Sequence, residues 1–102
     1  MRFLVKISMP VEAGNLSAKK DGFAAIQNIL QQQKPEAAYF LPQAGQRTGI
    51  LILNLQDPSE IAAIAEPWFL ALNAAVDVTP VMLPEDLQRA APAIEQAIKT
   101  YG

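Results

Sequence analysis

The 102-residue sequence contains neither cysteine nor histidine. The first absence excludes disulfides, thiolate nucleophiles and cysteine-based metal sites. The second leaves a zinc ion only carboxylates and carbonyls, an uncommon donor set. Charge is scarce too, at 18% of residues against roughly 25% in an average soluble domain. The eight Lys and Arg are scattered and the net charge is −2, so no cationic stripe collects phosphates and nucleic acid is not expected as a partner. No Gly-rich phosphate loop, Ser–His pair or metal-ligand spacing occurs, and neither metal nor cofactor is expected. No apolar run approaches the roughly twenty residues of a membrane span. At the start, Arg2 and Lys6 bracket only Phe3, Leu4 and Val5 before Pro10, which is not the apolar centre of a secretory signal. The expectation is a cytoplasmic protein with no membrane attachment.

What the chain has in quantity is apolar residues, at 51%. A chain of this size folds as one domain and buries about 60 to 70% of its unfolded surface, enough for one core. Further apolar surface is then available to an oligomer interface.

The hydrophobic periods set the element order. Phe3, Val5 and Ile7 alternate with Arg2, Leu4, Lys6 and Ser8, which predicts a strand that Pro10 ends. Val11 to Gly14 reads as a loop, followed by a helix capped at Asn15 or Ser17 and running to about Gln33, with Leu16, Phe23, Ile26 and Leu30 on one side. Gly22 within it points to close contact between helix and sheet. Lys34 and Pro35 stop the helix, and Ala37 to Leu41 forms a strand with Tyr39 and Phe40 on opposite faces. Pro42 to Thr48 reads as a hairpin connection, and Gly49 to Leu55 as a central strand apolar on both sides. In Asp57-Pro58-Ser59-Glu60, Asp caps, Pro takes the first helical position and Glu60 reaches back to a free backbone amide. Ile61, Ile64, Trp68 and Leu72 line the helix that follows, Pro67 should kink or restart it, and Asn73 can end it in the left-handed conformation. Ala75 to Met82 reads as a strand that Pro80 assigns to an edge. From Pro84 a final helix, bent by Pro92, carries Leu87, Ala91, Ile94, Ile98 and Tyr101 in a heptad-like seam.

Strand, helix, strand, strand, helix, strand with right-handed crossovers is the ferredoxin-like α+β plan. It predicts a four-stranded antiparallel sheet, strands one and three central, both helices on one face and an extra C-terminal helix outside the plan. Residues 1–83 form the expected α+β unit and 84–102 a helical extension. Along this order, Met1-Arg2-Phe3-Leu4-Val5-Lys6-Ile7, Asp57-Pro58-Ser59-Glu60, Glu66-Pro67-Trp68-Phe69 and Asp77-Val78-Thr79-Pro80 resemble the first strand, second helix and last strand of the dimeric α+β barrel superfamily, within it the muconolactone isomerase-like proteins. The resemblance implies a homodimer whose sheets stack face to face and a cleft between sheet and helices. Related enzymes often place His or acidic residues in that cleft, and this chain has no imidazole to place there.

The candidate ligand-binding residues are Lys6, Ser8, Tyr39, Phe69, Asp77 and Thr79. Lys6, in mid-strand, suits an anion anchor; an ion pair to Asp77 or extension of its stem to water is the favoured explanation. Ser8, Tyr39 and Thr79 supply hydroxyls around a small ligand if the register brings them to one face. Trp68 reads as core and Phe69 as core or cleft mouth. Glu60 and Glu66, six residues apart on a helix, face different ways and do not form an acid–base pair. Arg47 reads as a solvated turn charge. Three functions follow: a homodimer that pairs through its open sheet face and holds a small, partly apolar ligand or serves only as an assembly module; a cofactor-free enzyme acting on a small cyclic or unsaturated acid, with Lys6 orienting the carboxylate and Tyr39 or Asp77 moving a proton; or, least expected, a recruiter of other chains whose final helix swaps onto its partner.

Overall fold

The alternating first segment forms β1 (Arg2–Met9), and Pro10, rather than opening a loop, caps a helix that begins at once, α1 (Val11–Lys19). The computed structural model describes every residue from Met1 to Gly102. The expected loop at Val11 to Gly14 is therefore helical, and neither Asn15 nor Ser17 is a cap. Proline's fixed φ suits a helix entry as well as a strand end, which is why the two could not be separated in the sequence. A corner at Asp21, with φ 66°, separates α1 from α2 (Gly22–Gln33). Gly22 serves this corner and not the sheet, since a Cβ there would fall on Ser17 Oγ and within 2.8 Å of Ser17 O. Lys34, also left-handed at φ 50°, ends α2 before Pro35.

β2 (Ala37–Gln43) and β3 (Gln46–Asn54) are joined by two residues only, Ala44 and Gly45, both at positive φ. Positive φ at both positions is the tight hairpin geometry that matches strand twist. Pro42 and Arg47, expected in the connection, are thus paired strand residues.

Before α3 (Glu60–Leu72), Asp57 Oδ1 accepts the Ser59 backbone N–H at 2.9 Å, while Glu60 Oε2 accepts the N–H groups of Gln56 and Asp57 at 2.7 and 3.3 Å. Glu60 reaches back as read in the sequence, but the helix begins at Glu60 with Ser59 in the cap position, so Pro58 lies in the turn before it and not at the first helical position. Pro67 does not restart the helix. The single bond it removes is outweighed by burial of Ile64, Ala65, Trp68 and Leu72 on the same helix. Asn73, at φ 49°, caps the end as expected.

β4 (Ala75–Pro80) stops two residues short of Met82. Beyond it lie α4 (Pro84–Arg89) and α5 (Ala91–Tyr101), divided next to Pro92. The sheet order is β2-β3-β1-β4, all antiparallel, so strands one and three are central and each outer strand carries a proline, Pro42 or Pro80. This is the ferredoxin-like α+β fold with extra C-terminal helices.

One face of the sheet carries Val5, Ile7, Leu51 and Leu53, on which α2 and α3 set Ile29, Ile64, Trp68 and Leu72. Val5, Leu51 and Trp68 are fully enclosed. Burying each such side chain stabilises by about 1.5–3 kcal/mol before packing terms. Leu16 and Phe23, expected in the stripe of the first helix, are exposed, and Ile29 takes the buried position instead. The corner at Asp21 rotates α1 away from the line of α2, so a stripe counted through both does not face one way.

Candidate functional site

The register assigns each candidate residue to a face. Lys6 lies opposite Ile50 on one side and Asp77 on the other, and Ile50 is opposite Tyr39. Tyr39, Ile50, Lys6 and Asp77 thus form one row across the sheet. Ser8 sits in the next row beside Thr48, and Thr79 in the row of Leu4. All five candidates on the strands share the face that carries no helix. Lys6 and Asp77 are direct neighbours yet form no ion pair; the molecule's two side-chain pairs are Arg2–Glu36 at 3.0 Å and Arg89–Asp86. Phe69 belongs to α3 and is partly exposed.

The main apolar concavity is on the other side of the sheet. A cleft of about 610 Å³ runs between α2 and the sheet, with Ile7 and Met9 of β1 as floor and Phe23, Ile26 and Leu30 of α2 as roof. Trp68 and Leu72 close its inner end, and Phe40 and Pro42 form the rim on β2. None of Lys6, Ser8, Tyr39, Phe69, Asp77 or Thr79 lines it. The physical reason is the two-residue period: every one of the strand candidates has the parity opposite to Val5 and Ile7.

Three local devices shape this cleft. Gly49 leaves room for the Phe40 ring, since a Cβ there would come within 3.0 Å of Phe40 Cε1. Trp68 is held from behind: its indole N–H donates to Gln33 Oε1 at 3.2 Å, and Gln33 Nε2 donates to the Ile64 carbonyl at 3.0 Å. Arg47 crosses Gly14, where a Cβ would lie 2.9 Å from Nη1, and donates through Nη1 to Asn15 Oδ1 at 2.9 Å. Gly14 therefore lets the guanidinium reach the cleft rim, where no carboxylate lies within 4.0 Å of it. The remaining polar residues at the cleft are Gln27 and, at the β3 edge, Thr48, which has the open-face parity of Ser8 and donates its hydroxyl to the Gln46 carbonyl at 3.1 Å.

The arrangement is apolar with one free cation and no acid or base inside, which suits binding of a flat, partly apolar group bearing negative charge. Sequence reasoning treated Arg47 as a turn charge and missed the cleft roles of Met9, Gln27 and Phe40. The one signal available was the pairing of a glycine with an aromatic on adjacent strands.

Residues 1–95 match the family described as Domain of unknown function (DUF3303). No curated protein matches the chain. Among solved structures, 5-chloro-2-hydroxyhydroquinone dehydrochlorinase (TftG) from Burkholderia phenoliruptrix AC1100, in complex with 2,5-dihydroxybenzoquinone, superimposes with a TM-score of 0.65 at 20% identity, covering 83% of this chain and 97% of that one. At that identity the likeness establishes the fold.

Proposed function

The chain belongs to the DUF3303 family, and from that starting point we propose that it is a homodimeric small-molecule-binding protein whose ligand is a small, partly apolar anion held in the sheet–helix cleft. The cleft itself carries this reading: about 610 Å³, walled by Ile7, Phe23, Ile26, Leu30 and Trp68, with the unpaired Arg47 at its rim. That volume falls in the range of small-molecule sites, which are typically apolar with few polar contacts. The ring-shaped ligand named with the dehydrochlorinase is of compatible size and chemistry. Pairing is supported by the open sheet face, where Leu4, Ile50 and Ile52 are half-buried and Tyr39 and Leu41 exposed around Lys6. Stacking two such faces hides apolar side chains that no helix covers.

A second reading, a cofactor-free enzyme of the muconolactone isomerase-like type acting on a small cyclic or unsaturated acid, is favoured by one observation. Lys6 and Asp77 are neighbours in one row of the open face and Tyr39 lies in the same row beyond Ile50, so an ammonium, an Asp side chain and a phenol share that face. Because the cleft offers no carboxylate of its own, binding is the conclusion for that site.

The test uses the single tryptophan, Trp68, as reporter while 8-anilinonaphthalene-1-sulfonate or benzoate is titrated into the protein. Saturable binding of one molecule per chain is expected. Phe23→Asp, at an exposed roof position, should abolish it, and Arg47→Ala should weaken it about tenfold, equivalent to about 1.4 kcal/mol. Absence of saturation, or indifference to Phe23→Asp, would sink the cleft as a binding site.

A further inference from the structure

Every residue from Ala91 to Gly102 is exposed, although α5 carries a regular apolar stripe. Ile94, Ile98 and Tyr101 lie along one side, 49, 62 and 88% exposed, and Leu87 continues the line on α4. An amphipathic helix forms stably in a protein by packing that stripe against something. Its own body does not provide the counterpart: the molecule is 57 Å long and 29 Å by 20 Å across, and its radius of gyration is 17.1 Å, where a compact chain of this length has about 13 Å.

The surface area says how much is left uncovered. A compact monomer of 11.1 kDa exposes about 5,650 Å², whereas this chain exposes 7,044 Å². The surplus, about 1,400 Å² per copy, exceeds the roughly 800 Å² that each partner contributes to an ordinary stable interface. With the open sheet face used in stacking, the concave apolar surface remaining on the body is the mouth of the cleft. There Phe23 and Phe40 are 69 and 52% exposed.

We propose that the arm formed by α4 and α5 is exchanged between two copies, with Ile94, Ile98 and Tyr101 of one seated against Phe23 and Phe40 of the other. The partner's arm then forms the outer wall of the ligand cleft, and each binding site is built from two chains. Glu95, next to Ile94 on α5, gives the arm a charge opposite to that of the unpaired Arg47 at the cleft rim. The inference rests on the pairing proposed above.

The absence of native cysteine makes the test direct in the full chain. One preparation carries Ala97→Cys on the arm and another Gln27→Cys in the cleft; they are mixed, allowed to exchange and treated with a short bismaleimide. A cross-linked product of dimer mass is the expected result, lost when Ile94→Asp and Ile98→Asp are added. A double variant, Gln27→Cys with Ala97→Cys, is also diluted into excess cysteine-free protein. Cross-linking within that single chain would overturn the exchange by showing the arm folded onto its own body. A dimer by sedimentation with no cross-link between chains would overturn it while leaving the pairing intact. A monomer by sedimentation would remove the pairing itself.

Discussion

Trp68 has one polar atom, and the way it is satisfied couples two helices. Gln33 at the end of α2 accepts the indole N–H and donates to the Ile64 carbonyl of α3, so a single side chain closes two hydrogen bonds beside the core. Gln33→Leu keeps the bulk and leaves the buried indole N–H without its acceptor, for which a loss of about 1–3 kcal/mol in unfolding free energy is expected. Urea denaturation followed by tryptophan emission checks it, and an unchanged midpoint would mean that the bridge contributes nothing. Asp57 gives a pH-dependent counterpart. The Ser59 hydroxyl and then its backbone N–H, both donated to Asp57, hold its carboxyl below the usual carboxylate range, against a weaker upward pull from burial. The folded state therefore binds this proton less readily than the unfolded one. Its contribution is complete above the unfolded value of about 3.9 and disappears as pH falls through the lowered folded value. The gap in denaturation midpoint between the native chain and Asp57→Ala should accordingly be present near neutral pH and close in acid; a gap that persists once the carboxyl is protonated in the folded chain would assign the effect to something other than this charge.

Among the elements, the corner between α1 and α2 makes the sharpest test of packing against propensity. In an open helix, replacing Gly22 by Ala would stabilise by about 1 kcal/mol. Here the added methyl meets Ser17 side chain and carbonyl, so Gly22→Ala should instead destabilise by about 1–3 kcal/mol. Thermal unfolding of Gly22→Ala, alone and with Ser17→Ala, should show the loss and its partial relief. A stabilised single variant would remove the close approach from the account. This corner also marks where the sequence stopped being readable. The sheet was legible because period-two alternation in β1 and apolar residues on both sides of β3 leave little choice of position. The α3 start was legible because Asp57 and Glu60 stand at capping distance in the chain itself. The turn at Asp21 was not, since its left-handed conformation falls on a residue other than glycine. The cleft was hidden for a related reason. Its lining comes from β1, α2, β2, β3 and α3, and Phe23 has the same helical spacing as a core residue while being 69% exposed. Spacing along one element tells which residues share a side, but not how far that side stands from its neighbour. Likewise the face shared by Lys6, Ser8, Tyr39, Asp77 and Thr79 followed from alternation, whereas its separation from the cleft required the layers to be in place.

At the level of the whole molecule, the body and the arm divide the labour: a helix-covered sheet supplies the enclosed core, and the C-terminal helices supply apolar surface with no enclosed residue at all. No helix is long and apolar enough to cross a membrane; the cover proposed for that stripe is a second copy of the chain. The outer strands decide which geometry such cover can take. Pro42 interrupts the donors along β2, and β4 is six residues long with Pro80 at its end. A neighbour that tried to join either border by backbone pairing would find missing N–H groups and a strand too short to template it. Lateral growth into ribbons is blocked at both margins, so a molecule this rich in uncovered hydrocarbon can associate freely while remaining poorly suited to seed a fibril.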